Sequence, residues 1–171
     1  MLLGMDEASV QQHFARQYLA TLAMLKQAIV ECPEELWLGS KYTNLFWHIA
    51  YHSVFYTHLY LHAAEAEFQP WARHRKDANY LGGRRDTHES VTPVEPYTRT
   101  DTLEYHALCC EEVKAKVPAV PLDRESGFSW LPFNRFEVHL YNLRHLAHHT
   151  GQLADRLRTV AGIGIPWVLG G

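Results

Sequence analysis

Apolar side chains recur along this chain at intervals of three and four, the period of one helix face. Phe14, Tyr18, Leu22, Leu25 and Ile29 form the first such stripe and predict a helix from about Ser9 to Glu31. Asp6 or Ser9 can cap its start, and Pro33 lies just beyond its end. The second pattern, from about Thr43 to Glu67, is dense in aromatics: Phe46, Trp47, Tyr51, Phe55, Tyr56 and Tyr60. So little polar surface is expected of a helix enclosed on much of its circumference. A third helix is expected to start near Thr100 or Asp101 and to run to about Lys116, where Val117-Pro-Ala-Val-Pro121 ends it. The fourth spans about Phe133 to Val160, with Pro132 suited to its first turn. Leu140, Leu143, Ala147, Ala154 and Leu157 are its expected packing residues, and Gly162, Gly164 and Pro166 stop it. The apolar tail Ile163–Leu169 is expected to fold back on the helices or onto a partner.

Between the second and third helices the pattern breaks from about Gln69 to Thr100. This stretch holds Pro70, Gly82-Gly83, Pro93, Pro96 and the charged run Arg73-His-Arg-Lys-Asp77. A connector of this length is a surface excursion or a functional element such as a lid, and the pattern leaves both open. A second, aromatic connector is Gly127-Phe-Ser-Trp-Leu-Pro-Phe133. The alternation of a sheet is missing, as are tandem repeats and heptad runs. The expected fold class is all-α: one four-helix bundle domain over residues 1–171.

Composition narrows the function classes. Apolar residues make up 47% and charged residues 20% of 171 residues, ordinary values for a globular domain. Lys plus Arg is 16 against 19 Asp plus Glu, so nothing favours nucleic acid or an anionic membrane as partner. No apolar run approaches the ~18 residues of a membrane helix, and Met1–Glu7 lacks the basic-then-apolar pattern of a secretory leader. Cys32, Cys109 and Cys110 are odd in number and lack metal or disulfide spacing. They are expected to be reduced, in a cytoplasmic protein.

Histidine is the outlier, with 12 residues. In Asn142-Leu-Arg-His145-Leu-Ala-His148-His149-Thr-Gly-Gln152, His145 and His149 stand one helical turn apart on one face. Tyr141, Asn142 and Gln152 share their stripe, with Arg156 below. His148 is rotated by about 100° from His149, so His149 is the natural companion of His145. Two imidazoles at this spacing can hold one Zn, Ni, Cu or Fe ion. A third ligand is expected from the second helix, where His48 and His52 are both candidates. His58 and His62 repeat the four-residue spacing nearer the far end of that helix. Three His ligands leave a coordination position for water or substrate, the mark of a catalytic centre. Gly151 interrupts the fourth helix at a propensity cost of about 1 kcal/mol, which a close helix approach or the metal centre would explain.

His145-Leu-Ala-His-His149-Thr-Gly-Gln152-Leu resembles the His-x-x-x-His-Arg-Gly-Gln signature of the DinB/YfiT-like superfamily of metalloenzymes. Asn44-Leu-Phe-Trp-His48-Ile-Ala is similar to the stretch carrying that family's first ligand. Phe128-Ser-Trp-Leu-Pro-Phe133 and Tyr141-Asn-Leu-Arg-His145 are similar to one branch of it. The resemblance implies an up-down-down-up four-helix bundle, a homodimer, and a divalent metal, Zn or Ni, on His48, His145 and His149. His52 would then be a fourth ligand, a base or a supporting group. Thr150 stands where the family pattern has Arg. The resemblance further implies a metal-dependent transferase using a low-molecular-weight thiol as cosubstrate, acting on a small electrophile. Rings of the second helix and Trp130 could wall an apolar pocket for it. The alternatives are a metal-dependent hydrolase on the same three histidines and a non-catalytic metal-binding stress-response protein.

Overall fold

The computed structural model describes residues 6–39, 41–82 and 95–170. These hold five α-helices and no strand, only an isolated bridge between Glu125 and Asn134. Helix α1 spans Glu7–Glu31, and Asp6 caps it by accepting a 2.7 Å hydrogen bond from the Ser9 amide. A single-turn helix, α2 (Glu34–Trp37), follows Pro33 and had no periodic signal to announce it. Helix α3 covers Phe46–Leu61, shorter at both ends than the aromatic pattern suggests. His62 turns the chain to an extended conformation, and Glu65–Glu67 form a separate 3₁₀ turn. Helix α4 is Arg99–Lys116, capped by the Thr98 hydroxyl rather than by Thr100 or Asp101. Helix α5 is Arg135–Arg156, capped by the Asn134 side chain, and it opens into a π turn at Leu157–Ala161 that ends on Gly162. Pro132 therefore lies before the cap, outside the first turn. Of the long connector, residues 83–94, which include Gly83 and Pro93, lie outside the described residues.

Helix α3 packs against both α4 and α5, and α1 packs against the same two. The expectation of an enclosed second helix holds. Every α3 residue is buried except His48, His52 and Tyr56, which are half-buried. These three are spaced by four and form one stripe. The least covered edge of the central helix is thus the edge that carries its chemistry. The core around it is apolar, with Tyr18, Leu22, Leu25 and Ile29 from α1, Tyr105, Cys109 and Val113 from α4, and Leu146 and Leu153 from α5. Each such side chain contributes about 1.5–3 kcal/mol on burial.

The buried face of α5 differs from the expected one. Leu140 is 48% exposed, Ala147 is exposed, and the face turned inward is Val138, His139, Asn142, Leu146, His149, Thr150 and Leu153. The helix accepts polar residues inside because they are bonded. Asn142 Nδ2 donates to the Thr57 carbonyl at 3.1 Å, and the Tyr18 hydroxyl donates to the His139 carbonyl at 3.2 Å. At the start of α5, the wholly buried Arg135 donates to the carbonyls of Tyr60 (2.8 Å) and Ser126 (3.1 Å). Gly151 sits on the exposed side, where an added Cβ would meet nothing within 4 Å. Neither helix packing nor the histidine centre requires it. In the tail, Ile163 and Ile165 pack against the core, while Trp167 and Leu169 are exposed. The three cysteines are free. No helix among the described residues is long and apolar enough to cross a membrane.

Buried neutral histidines make the fold acid-sensitive. Burial, reinforced by the Arg135 charge, pushes His139 down to about 3 from 6.5. The unfolded chain binds this proton below about pH 6.5 and the folded chain does not, so stability is full above that pH and falls as pH drops. His139 alone should cost about 2 kcal/mol between pH 7.5 and pH 5, a window above the carboxylate range. Urea midpoints at the two pH values test this, with His139→Gln expected to reduce the difference. Equal wild-type midpoints would contradict it.

Candidate metal centre

The facing edges of α3 and α5 bring three imidazoles together. His52 Nε2 lies 3.0 Å from His145 Nε2, and the rings of His52 and His149 are 4.8 Å apart between centroids. The His145 and His149 rings are 4.6 Å apart. One nitrogen from each ring lies within 4.8 Å of the other two. The trio is His52, His145 and His149. His48, the ligand implied by the resemblance, stands outside it: its ring stacks on Trp47 at 4.7 Å, and its Nε2 donates to the Ala78 carbonyl at 3.0 Å.

The helix register explains the difference. Arg156 donates to the Asn44 carbonyl and Asn142 to the Thr57 carbonyl, so α3 and α5 run antiparallel. Between these two anchors, the span from His145 to His149 lies opposite position 52, and His48 falls a turn beyond it. Spacing on one helix cannot give this register. His148 is exposed and stands outside the trio.

Hydrogen bonds fix the tautomers. A carbonyl only accepts, so His52 carries its proton on Nδ1, which donates to the Asn79 carbonyl at 2.6 Å. His149 Nδ1 likewise donates to Gln152 Oε1 at 2.7 Å. Both rings therefore carry their lone pair on Nε2, and that of His52 lies against His145. Metal-binding histidines are characteristically held this way, the second nitrogen bonded to a carboxylate, a main-chain carbonyl or water. In the neutral His52–His145 contact only His145 can supply the proton, which leaves His145 Nδ1 buried without a partner. Burial first, then the neighbouring imidazoles, holds His52 well below the usual histidine value and His145 down to about 3. Burial also lowers His149, against the Gln152 bond that raises it. Three neutral imidazoles suit a borderline cation such as zinc or nickel. The donor set fits a metal, and no cysteine joins it.

The orienting acceptor on His52 comes from the long connector. Trp71–Tyr80 lies along the half-buried stripe of α3, so that Ala78 and Asn79 offer their carbonyls to His48 and His52. Tyr51 and His74 share a 2.7 Å hydrogen bond, and Arg73 pairs with Asp101 and Glu104 of α4. The charged run thus anchors the connector to α4. Nothing in the sequence marked Asn79, because its contribution is a main-chain oxygen.

Beside the imidazoles lies a cavity of about 510 Å³, lined by His52, His145, Tyr56, Tyr60, Tyr141, Trp130 and other mainly apolar residues. Among the described residues, Glu65 is the acidic residue in this lining, and no lysine or arginine contributes to it. Trp130 Nε1 donates to the Tyr60 hydroxyl at 3.3 Å. Of the aromatic rings of the second helix, Phe55, Tyr56 and Tyr60 reach the cavity, whereas Phe46, Trp47 and Tyr51 belong to the core. A hollow of about 570 Å³ over the 123–134 connector carries no histidine among the described residues. Thr150 is buried, and an arginine in its place would need buried partners of its own. No family model, curated protein or solved structure matches the chain.

Proposed function

We propose that this chain is a divalent-metal protein with a centre on His52, His145 and His149, and that it works as a metal-dependent enzyme of the thiol-dependent transferase type. The observation that carries this reading is three imidazoles with a nitrogen each within 4.8 Å of the others, the rings of His52 and His149 held by the Asn79 carbonyl and Gln152, beside an aromatic cavity. The chain is a single DinB/YfiT-like domain, an up-down-down-up four-helix bundle that forms a homodimer and takes zinc or nickel. The metal, when bound, supplies a Lewis acid that lowers the pKa of a thiol or water at its open position. The chain's own residues do the rest. Asn79 and Gln152 orient the ligand rings. Tyr56, Tyr60, Tyr141 and Trp130 wall the acceptor, exclude water from it and favour an uncharged, apolar electrophile. His52 serves as ligand, replacing the role of base.

A panel of low-molecular-weight thiols with an aryl halide tests this. A transferase forms the carbon–sulfur bond and releases halide only with thiol and with added zinc or nickel. Halide or ester cleavage that proceeds equally without thiol would favour the hydrolase on the same histidines. Halide release indifferent to the metal would defeat both.

A further inference from the structure

The geometry points to a second metal centre, on His58, His62 and Glu112, that takes a divalent cation of the zinc type and ties the end of α3 to α4. His58 is six residues beyond His52, which on a helix is about 9 Å of rise and about 240° of rotation. His52 therefore faces α5, and His58 faces the opposite neighbour, α4. One ligand atom each from His58, His62 and Glu112 lies within 4.8 Å of the others. His58 and His62 are buried, and Glu112 is half-buried.

The local contacts aim this cluster at a cation. His62 Nδ1 donates to the His58 carbonyl at 3.0 Å, so its Nε2 carries a lone pair. His58 Nδ1 and the Tyr105 hydroxyl are 3.1 Å apart, a bond that holds the ring with Nε2 toward α4. His58 Nε2 and Glu112 Oε2 stand 3.9 Å apart. That is too long for a hydrogen bond, but it suits two ligands each about 2.0–2.2 Å from a shared cation. Glu112 Oε2 is buried and accepts no hydrogen bond. Phe68 covers both rings, at 5.1 Å from His58 and 5.3 Å from His62.

Lys116 is the competitor. Its Nζ lies 3.4 Å from Glu112 Oε2, one turn further along α4, and its side chain is 32% exposed. A cation entering past Lys116 takes the carboxylate, and the ammonium swings to solvent. Two nitrogens and one oxygen leave a fourth position for water, and the set suits zinc better than calcium or magnesium. The centre is independent of the α3–α5 one, so its failure leaves the proposed function untouched.

Zinc stoichiometry of the full chain, measured by calorimetry and by elemental analysis after gel filtration, tests the assignment. Wild type is expected to bind two equivalents. Glu112→Gln and His62→Gln should each bind one and retain the helical circular dichroism of wild type, while His52→Ala should keep the equivalent that they lose. Lys116→Gln should tighten the second equivalent about tenfold. Cobalt(II) absorption should fall by one centre in Glu112→Gln. Stoichiometry and cobalt spectra unchanged in both Glu112→Gln and His62→Gln would overturn the second centre, whereas loss of an equivalent in His52→Ala alone would leave the α3–α5 centre standing without it.

Discussion

Replacing His52 with alanine is expected to weaken zinc binding at the α3–α5 centre more than 100-fold, while replacing His48 should change it less than threefold. Loss of a group that merely orients a ligand costs 10–100-fold in affinity, and loss of one ligand in three should exceed that. His52 Nε2 stands 3.0 Å from His145 Nε2 with its proton held on the far side of the ring by Asn79. His48 has committed its Nε2 to the Ala78 carbonyl, so truncating it removes a hydrogen bond and a ring stack but no ligand. His145→Ala and His149→Ala should behave like His52→Ala, since the three nitrogens share one point. Competition with a chromophoric zinc chelator measures all four variants. Metal loss in His48→Ala with retention in His52→Ala would restore the set read from the resemblance and refute the register argument.

Gly127→Ala is expected to destabilise the fold by more than about 3 kcal/mol, combining left-handed strain with a steric clash. For a chain of this size that is a fall in Tm on the order of 6–12 °C. Gly127 has φ 77°, and a Cβ there would lie 2.0 Å from the Ala63 carbonyl oxygen and 2.7 Å from the Ala64 Cα. Both are main-chain atoms that no rotamer can move aside. The contact joins two connectors: the Glu65 amide donates to the Gly127 carbonyl at 3.0 Å. Ser126, just before it, holds Arg135 and the carbonyls of Phe128 and Leu131. Prising these apart displaces Glu65 and Trp130, which line the cavity, so activity should fall with stability. A thermal melt within 2 °C of wild type would show that the connectors yield.

Helices were legible where apolar period and capping chemistry agreed. Asp6 and the stripe from Phe14 to Ile29 gave α1 almost to the residue. α5 was legible as a helix but not as a face. Its inward side holds His139 and Asn142, whose burial is sustained by partners on α1 and α3 that no pattern within the helix can reveal. Leu140 looked like core and is half-exposed for the same reason. His145 and His149 were legible because both lie on one helix, where spacing dictates proximity. The third histidine depended on how two helices slide against each other, which is set by contacts such as Arg156 with Asn44. Gly151 read as a mark of a close helix approach or of the metal centre, and it faces open space.

Asn79 reaches His52 through its peptide oxygen, and Ala78 reaches His48 in the same way. Such acceptors survive any side-chain exchange at positions 78 and 79 that keeps the local trace. What the centre demands of this stretch is a path rather than an identity. Drift in its residues can leave the chemistry intact, whereas inserting or deleting one residue would offer each ring the wrong oxygen.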